Sequence, residues 1–141
     1  MTGRRRVLAG WLVVATLGIG GCRLSSLHVL IPDFDASSVD GVTIWQIDEA
    51  TGQPVTAATL RFLDVGMEDF GTGPFEILDY EIVLPDGSVQ PPLATQVQRD
   101  PGSADVDLLL FFVPRTSGWY RVSTYNEAGS SPLSADQVYI L

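Results

Sequence analysis

The 141-residue chain carries 17 acidic side chains against 8 arginines and no lysine, a net charge of −9, with one cysteine and one histidine. Such a chain is repelled by phosphate backbones and anionic headgroups, which excludes nucleic acid as a partner. A single cysteine excludes an internal disulfide, and the lack of lysine excludes an amine nucleophile.

The chain opens with a basic stretch, Arg4-Arg5-Arg6, followed by an almost unbroken apolar run from Val7 to Ile19 and then Gly20-Gly21. A basic n-region, a short apolar h-region and small residues before a cut site are the marks of a secretory signal, so residues 1–21 read as an export segment. Crossing a bilayer as a helix takes about twenty apolar residues, and this run is shorter. The order Ile19-Gly20-Gly21-Cys22 resembles the lipobox of bacterial lipoproteins, an aliphatic residue and two small ones before the lipid-bearing cysteine; Gly20 stands where Ala or Ser is commoner. The resemblance implies lipidation at Cys22, with acyl chains such as palmitate, and anchoring to a membrane on the exported side of the cell envelope. Two or three hydrocarbon chains hold a protein there in effect permanently, so the folded part has no need to touch lipid. Loss of Arg4, Arg5 and Arg6 with the signal would move the net charge to −12.

Residues 22–40 read as the lipidated cysteine and an extended tether, with serine spacers and Pro32 among aspartates, and Leu27–Ile31 able to add a strand at the domain edge. From residue 41 to 141 apolar and polar side chains alternate between clusters of Gly, Pro and Asp, which predicts a single all-β sandwich of about seven strands. The strands expected are Gly41–Asp48, Ala57–Val65, Phe75–Leu84, Ala94–Arg99, Val106–Val113, Gly118–Tyr125 and Ala135–Leu141, with residues 66–74 as a longer loop. In the third, Leu78, Tyr80, Ile82 and Leu84 face inward, and Pro85-Asp86-Gly87 ends it in a β-turn.

The sixth strand and its turn run Thr116-Ser117-Gly118-Trp119-Tyr120-Arg121-Val122-Ser123-Thr124-Tyr125-Asn126-Glu127-Ala128-Gly129. Gly118, Tyr120, Asn126 and Gly129 fall at the spacing of the F-strand signature of intermediate-set immunoglobulin domains, D-x-G-x-Y-x-C-x-A-x-N-x-x-G; fibronectin type III domains end similarly. The resemblance implies an immunoglobulin-like or fibronectin type III-like sandwich. Thr116 stands where the family has an acid, Val122 where it has cysteine and Thr124 where it has alanine. It also places the partner cysteine's position at Phe62, puts Tyr80 in the role of the missing core tryptophan, and casts Tyr120 as a tyrosine corner. Asn126 and Gly129 are residues that tolerate left-handed backbone, as a tight turn requires. These are structural roles.

For chemistry the chain offers little. His28, the sole histidine, falls in the tether, so no Ser-His-Asp or Cys-His arrangement can be assembled in the domain, and an enzyme is not expected. Asp33-Phe34-Asp35, Glu68-Asp69 and Asp100 with Asp105-Val106-Asp107 supply oxygen ligands without visible convergence, so no metal or other cofactor is expected; calcium-dependent or carbohydrate-processing use of paired carboxylates is an alternative. Period two puts Trp119, Arg121 and Tyr125 on the outward face of the sixth strand, residue types favoured as interface anchors, though Arg121 can instead pair with Glu81. The run Leu108–Val113 is apolar on both faces. The function expected is a non-catalytic binding or structural module with a protein partner in the envelope. An accessory subunit docking through residues 108–113 is the alternative.

Overall fold

Alternation with period two lets a strand bury one row of side chains, and each stretch after Asp40 that carries it is a strand in the computed structural model, which describes residues 16–19, 22–35, 38–69, 71, 74–99, 101–114 and 116–141. In chain order the strands are β1 (Thr16–Ile19), β2 (Cys22–Ile31), β3 (Gly41–Ile47), β4 (Pro54–Asp69), β5 (Pro74–Val83), β6 (Leu93–Arg99), β7 (Val106–Phe112), β8 (Gly118–Asn126), β9 (Gly129–Ser130) and β10 (Val138–Ile140). No helix occurs among the described residues. All pairings are antiparallel, and the sheet runs β1-β2-β7-β6-β5-β4-β3-β8-β10 with β9 beside β8, curling nearly into a barrel. The export segment before Thr16, together with Gly20 and Gly21, lies outside the described residues, as do Ser37, Asp100 and Arg115.

The described residues form ten strands, eight of them from Gly41 onward, where about seven were expected. The largest difference lies in the segment read as a tether. Ser25 to Ile31 pairs along β7, and Leu27, Val29 and Ile31 are fully buried, so part of that segment is a central piece of the core. The apolar row of β2 is the reason: those three side chains alternate with Ser26, His28 and Leu30, and a free tether would leave them in water. The expected loop at 66–74 is mostly strand as well. β4 continues past the end of β3 to Asp69 opposite Pro74, and its last residues, Met67 to Asp69, form a two-stranded ribbon with Pro74 to Glu76 beyond the point where β6 joins β5.

The core is one cluster filled from both halves of the curled sheet: Leu27, Val29 and Ile31 from β2, Val42 and Ile44 from β3, Leu78, Tyr80 and Ile82 from β5, Leu108, Leu110 and Phe112 from β7, and Tyr120 and Val122 from β8. The inward rows expected for the third and sixth strands are those observed, with Leu84 only partly buried at the end of its strand. The turn after β5 closes as its residues dictate: the Gly87 amide donates to the Leu84 carbonyl at 2.9 Å, and Gly87 takes φ +90°.

β6 belongs to both halves. Leu93–Gln96 pairs with β5, and Val97–Arg99 pairs with β7. Where β6 leaves β7, the backbone of Leu109 and Phe111 loses a strand neighbour on that side. Two side chains take its place. Thr95 Oγ1 donates to the Leu109 carbonyl at 2.7 Å, while the Tyr80 hydroxyl accepts from the Phe111 amide at 2.7 Å and donates to the Phe111 carbonyl at 3.3 Å. Buried backbone groups must be paired, and this is how the switch of partner is accommodated. Burial pushes the Tyr80 hydroxyl up to about 12, against the opposing effect of its bond to the Phe111 backbone. Tyr80 is therefore a strut between β5 and β7.

Tyr120 does the same at one end of β8. Its ring is buried edge-on to Phe112 at 5.8 Å between centroids, and its hydroxyl donates to the Thr116 carbonyl at 2.5 Å, four residues upstream. Gly118 is needed beside it because the Gln46 amide packs there; a Cβ would lie 2.8 Å from Gln46 Nε2, which donates to Thr116 Oγ1 and the Ser117 carbonyl. At the other end Gly129 is left-handed at φ +134°, while Asn126 keeps ordinary backbone and works through its side chain. Asn126 Oδ1 accepts from the Ala128 amide at 2.8 Å, and Nδ2 donates to the Ser38 carbonyl at 2.9 Å.

Phe62 does not face Val122 across the core. Phe62 is on β4 and Val122 on β8, with β3 between them in the same run of strands. Phe62 instead packs edge-on against Phe34, at 6.2 Å between ring centroids.

Candidate aromatic face

β8 is flanked by β3 on one side and β10 on the other, and this pairing decides what surrounds its outward residues. Tyr139 lies directly across from Trp119, and Trp45 directly across from Arg121. The Trp119 and Tyr139 rings meet edge to face at 5.2 Å, and each keeps about two fifths of its surface in water, 40% and 42%. Beside them the half-buried Trp45 indole donates from Nε1 to Ser123 Oγ at 2.9 Å, covering that serine. Arg121 Nε donates to Gln137 Oε1 at 3.3 Å. Trp119, Tyr139, Arg121 and Trp45 therefore make one continuous patch.

Arg121 does not pair with Glu81. β5 lies three strands from β8, and Glu81 stands opposite Arg61, whose guanidinium it holds in an ion pair. Tyr125 is separated from the patch. It is six residues from Trp119 on the same strand, about 20 Å at 3.3 Å per residue, and its ring crosses Gly41, where a Cβ would come within 2.6 Å of the hydroxyl and also strike the Leu60 carbonyl. Burial raises the Tyr125 pKa; Arg61 opposes that shift, and Asp40 and Glu81 reinforce it. Of the three outward residues expected to act together, the fold groups Trp119 with Arg121 and sets Tyr125 over the Arg61–Glu81 pair. Trp45 and Tyr139 complete the patch. Both lie in strands that the sequence reading found; only the pairing order was missing.

The apolar strand β7 is not an edge, since β2 and β6 flank it. Leu108, Leu110 and Phe112 fill the core, Leu109 and Phe111 stay half-buried on the outer face, and Val113 is exposed. His28 stands on that same outer face, with Nδ1 3.1 Å from Asp107 Oδ1. Among the acidic pairs, the Asp33 amide donates to Asp105 Oδ1 at 3.0 Å, which ties two loops together, and Asp69 Oδ1 accepts from the Gly71 amide at 2.8 Å. Among the described residues no three His, Cys, Asp or Glu side chains converge as a metal site would require. Comparison with family models, with curated proteins and with solved structures finds no match to the chain.

Proposed function

We propose that the chain is an envelope lipoprotein, anchored through lipid on Cys22, whose β domain is an immunoglobulin-like, non-catalytic binding module for a protein partner. One observation carries the binding reading. Trp119 and Tyr139 form a paired aromatic surface flanked by Arg121, and large rings left in water lose free energy unless something covers them. The anchoring reading rests on the order of basic, apolar and small residues ending at Cys22. The immunoglobulin-like reading is supported by strand order. β2-β7-β6 and β10-β8-β3-β4-β5 follow the B-E-D and G-F-C-C′-C″ arrangement of variable-type domains, while β1, at the A position, lies in the segment that processing at Cys22 removes. The Tyr120 bond to the Thr116 carbonyl is the tyrosine-corner contact of that family. In this arrangement the position facing Val122 falls in the buried row of β2 rather than at Phe62. The strand matching C carries Trp45 on its outward side, a departure from the family.

Two measurements test this. Mass spectrometry of the mature N-terminal peptide is expected to find diacylglyceryl-Cys22, and an unmodified N-terminus elsewhere would refute anchoring. The double change Trp119→Ala with Tyr139→Ala is expected to shift stability by less than about 1 kcal/mol, as exposed positions do, while weakening partner co-purification from detergent-solubilised envelopes at least about tenfold, the effect of losing about 1.4 kcal/mol of binding. Retention of every partner would move the interface off this face.

A further inference from the structure

On the opposite side of the molecule, the parting of β6 from β7 opens a trough. Cavities of about 300 Å³ and about 280 Å³ share Gln98 and Asp107, so they run into one another along the outer face of the two strands. We propose that this trough is a binding site for a neutral carbohydrate chain. The inference rests on the domain being a binding module, but it uses a surface separate from the aromatic face.

The lining gives the chemistry. Gln96 and Gln98, alternate outward residues of β6, bring amides that donate and accept. His28 Nδ1 lies 3.1 Å from Asp107 Oδ1, which orients the ring and leaves Nε2, a donor or an acceptor according to the tautomer, on a residue that lines the trough. Leu109 and Phe111 provide an apolar strip. Planar hydrogen-bonding groups beside an apolar strip suit a ring with hydroxyls on its rim and C–H bonds on its faces.

Other ligand classes fit less well. An extended peptide would need strand-edge groups to pair with, and on the β6 side of β7 the Leu109 carbonyl and the Phe111 amide and carbonyl are already taken by Thr95 and Tyr80. An anion would meet Asp105 and Asp107, and the guanidinium that lines the trough, Arg99, is committed to Glu76 through bonds of 2.7 and 3.0 Å. A purely apolar molecule would strand the Gln96 and Gln98 amides without partners.

The test uses the full chain in detergent against an array of neutral gluco-, manno-, galacto- and N-acetylglucosamine-based oligosaccharides, followed by titration of the best binder. Because His28 is the sole histidine, its imidazole resonances report on the trough alone. The expected result is saturable binding that moves the His28 resonances, is weakened at least about tenfold by Gln96→Ala with Gln98→Ala, and persists in Trp119→Ala with Tyr139→Ala. Binding to no member of the array overturns the proposal. Binding that leaves the His28 resonances still, survives the glutamine changes and is lost with Trp119 and Tyr139 also overturns it, while leaving the binding-module reading intact on the other face.

Discussion

A chain that starts at Gly41 is expected not to fold. It lacks β2, and with it three fully buried side chains, Leu27, Val29 and Ile31. Burying each such side chain contributes about 1.5–3 kcal/mol, while the whole stability of a domain is about 5–15 kcal/mol. Truncation also strips β7 of its neighbour from Val106 to Phe112 and exposes that apolar strand to water. Circular dichroism and a thermal melt of residues 41–141 are expected to lack a cooperative transition. In the full chain Leu27→Ala alone should cost about 2–5 kcal/mol. If residues 41–141 melt cooperatively near the temperature of the full chain, β2 is no part of the core.

The second large effect is expected at Tyr80. Tyr80→Ala should cost about 3–5 kcal/mol, the usual loss for a large buried ring. Tyr80→Phe keeps the ring but orphans the Phe111 amide, and an unpaired buried donor costs about 1–3 kcal/mol. The hydroxyl also predicts a pH dependence. Its pKa rises from the ordinary 10 to about 12 on folding, so the folded state favours the protonated form. That contribution is fully present below pH 10 and is lost as pH climbs through 12, by up to about 2.7 kcal/mol at 1.36 kcal/mol per unit. The pKa values of Tyr120 and Tyr125 are raised in the same direction, burial being the leading cause for each. Denaturant midpoints should therefore fall between pH 10 and 12, and less steeply in Tyr80→Phe than in the parent chain. Equal slopes for the two would remove Tyr80 from this role.

Much of the strand content was legible in the residues because alternation is a local property. The inward row of β5, the Pro85-Asp86-Gly87 turn and the face division of β8 all follow from period two and turn chemistry. Pairing order is not local. Nothing near Phe62 records that β3 comes between β4 and β8, so the resemblance placed Phe62 across the core when it lies along the sheet. The same gap hid half of the aromatic patch, since Tyr139 and Trp45 join Trp119 and Arg121 only through the β10-β8-β3 order. Leu27–Ile31 reads as a strand, but its neighbouring serines and Pro32 suggest an edge position and conceal its place beside β7. For that reason His28 reads as part of the tether, while its partner Asp107 is 79 residues away.

The claim that the Trp119–Tyr139 surface is an interface is tested most directly by photocrosslinking in the native envelope. A photoreactive amino acid is placed at position 119 of the full chain, and in a separate sample at Val89, an exposed position off the patch. The account predicts one discrete protein adduct from position 119 and none of that size from position 89. No adduct from 119, or the same adduct from both positions, would contradict it.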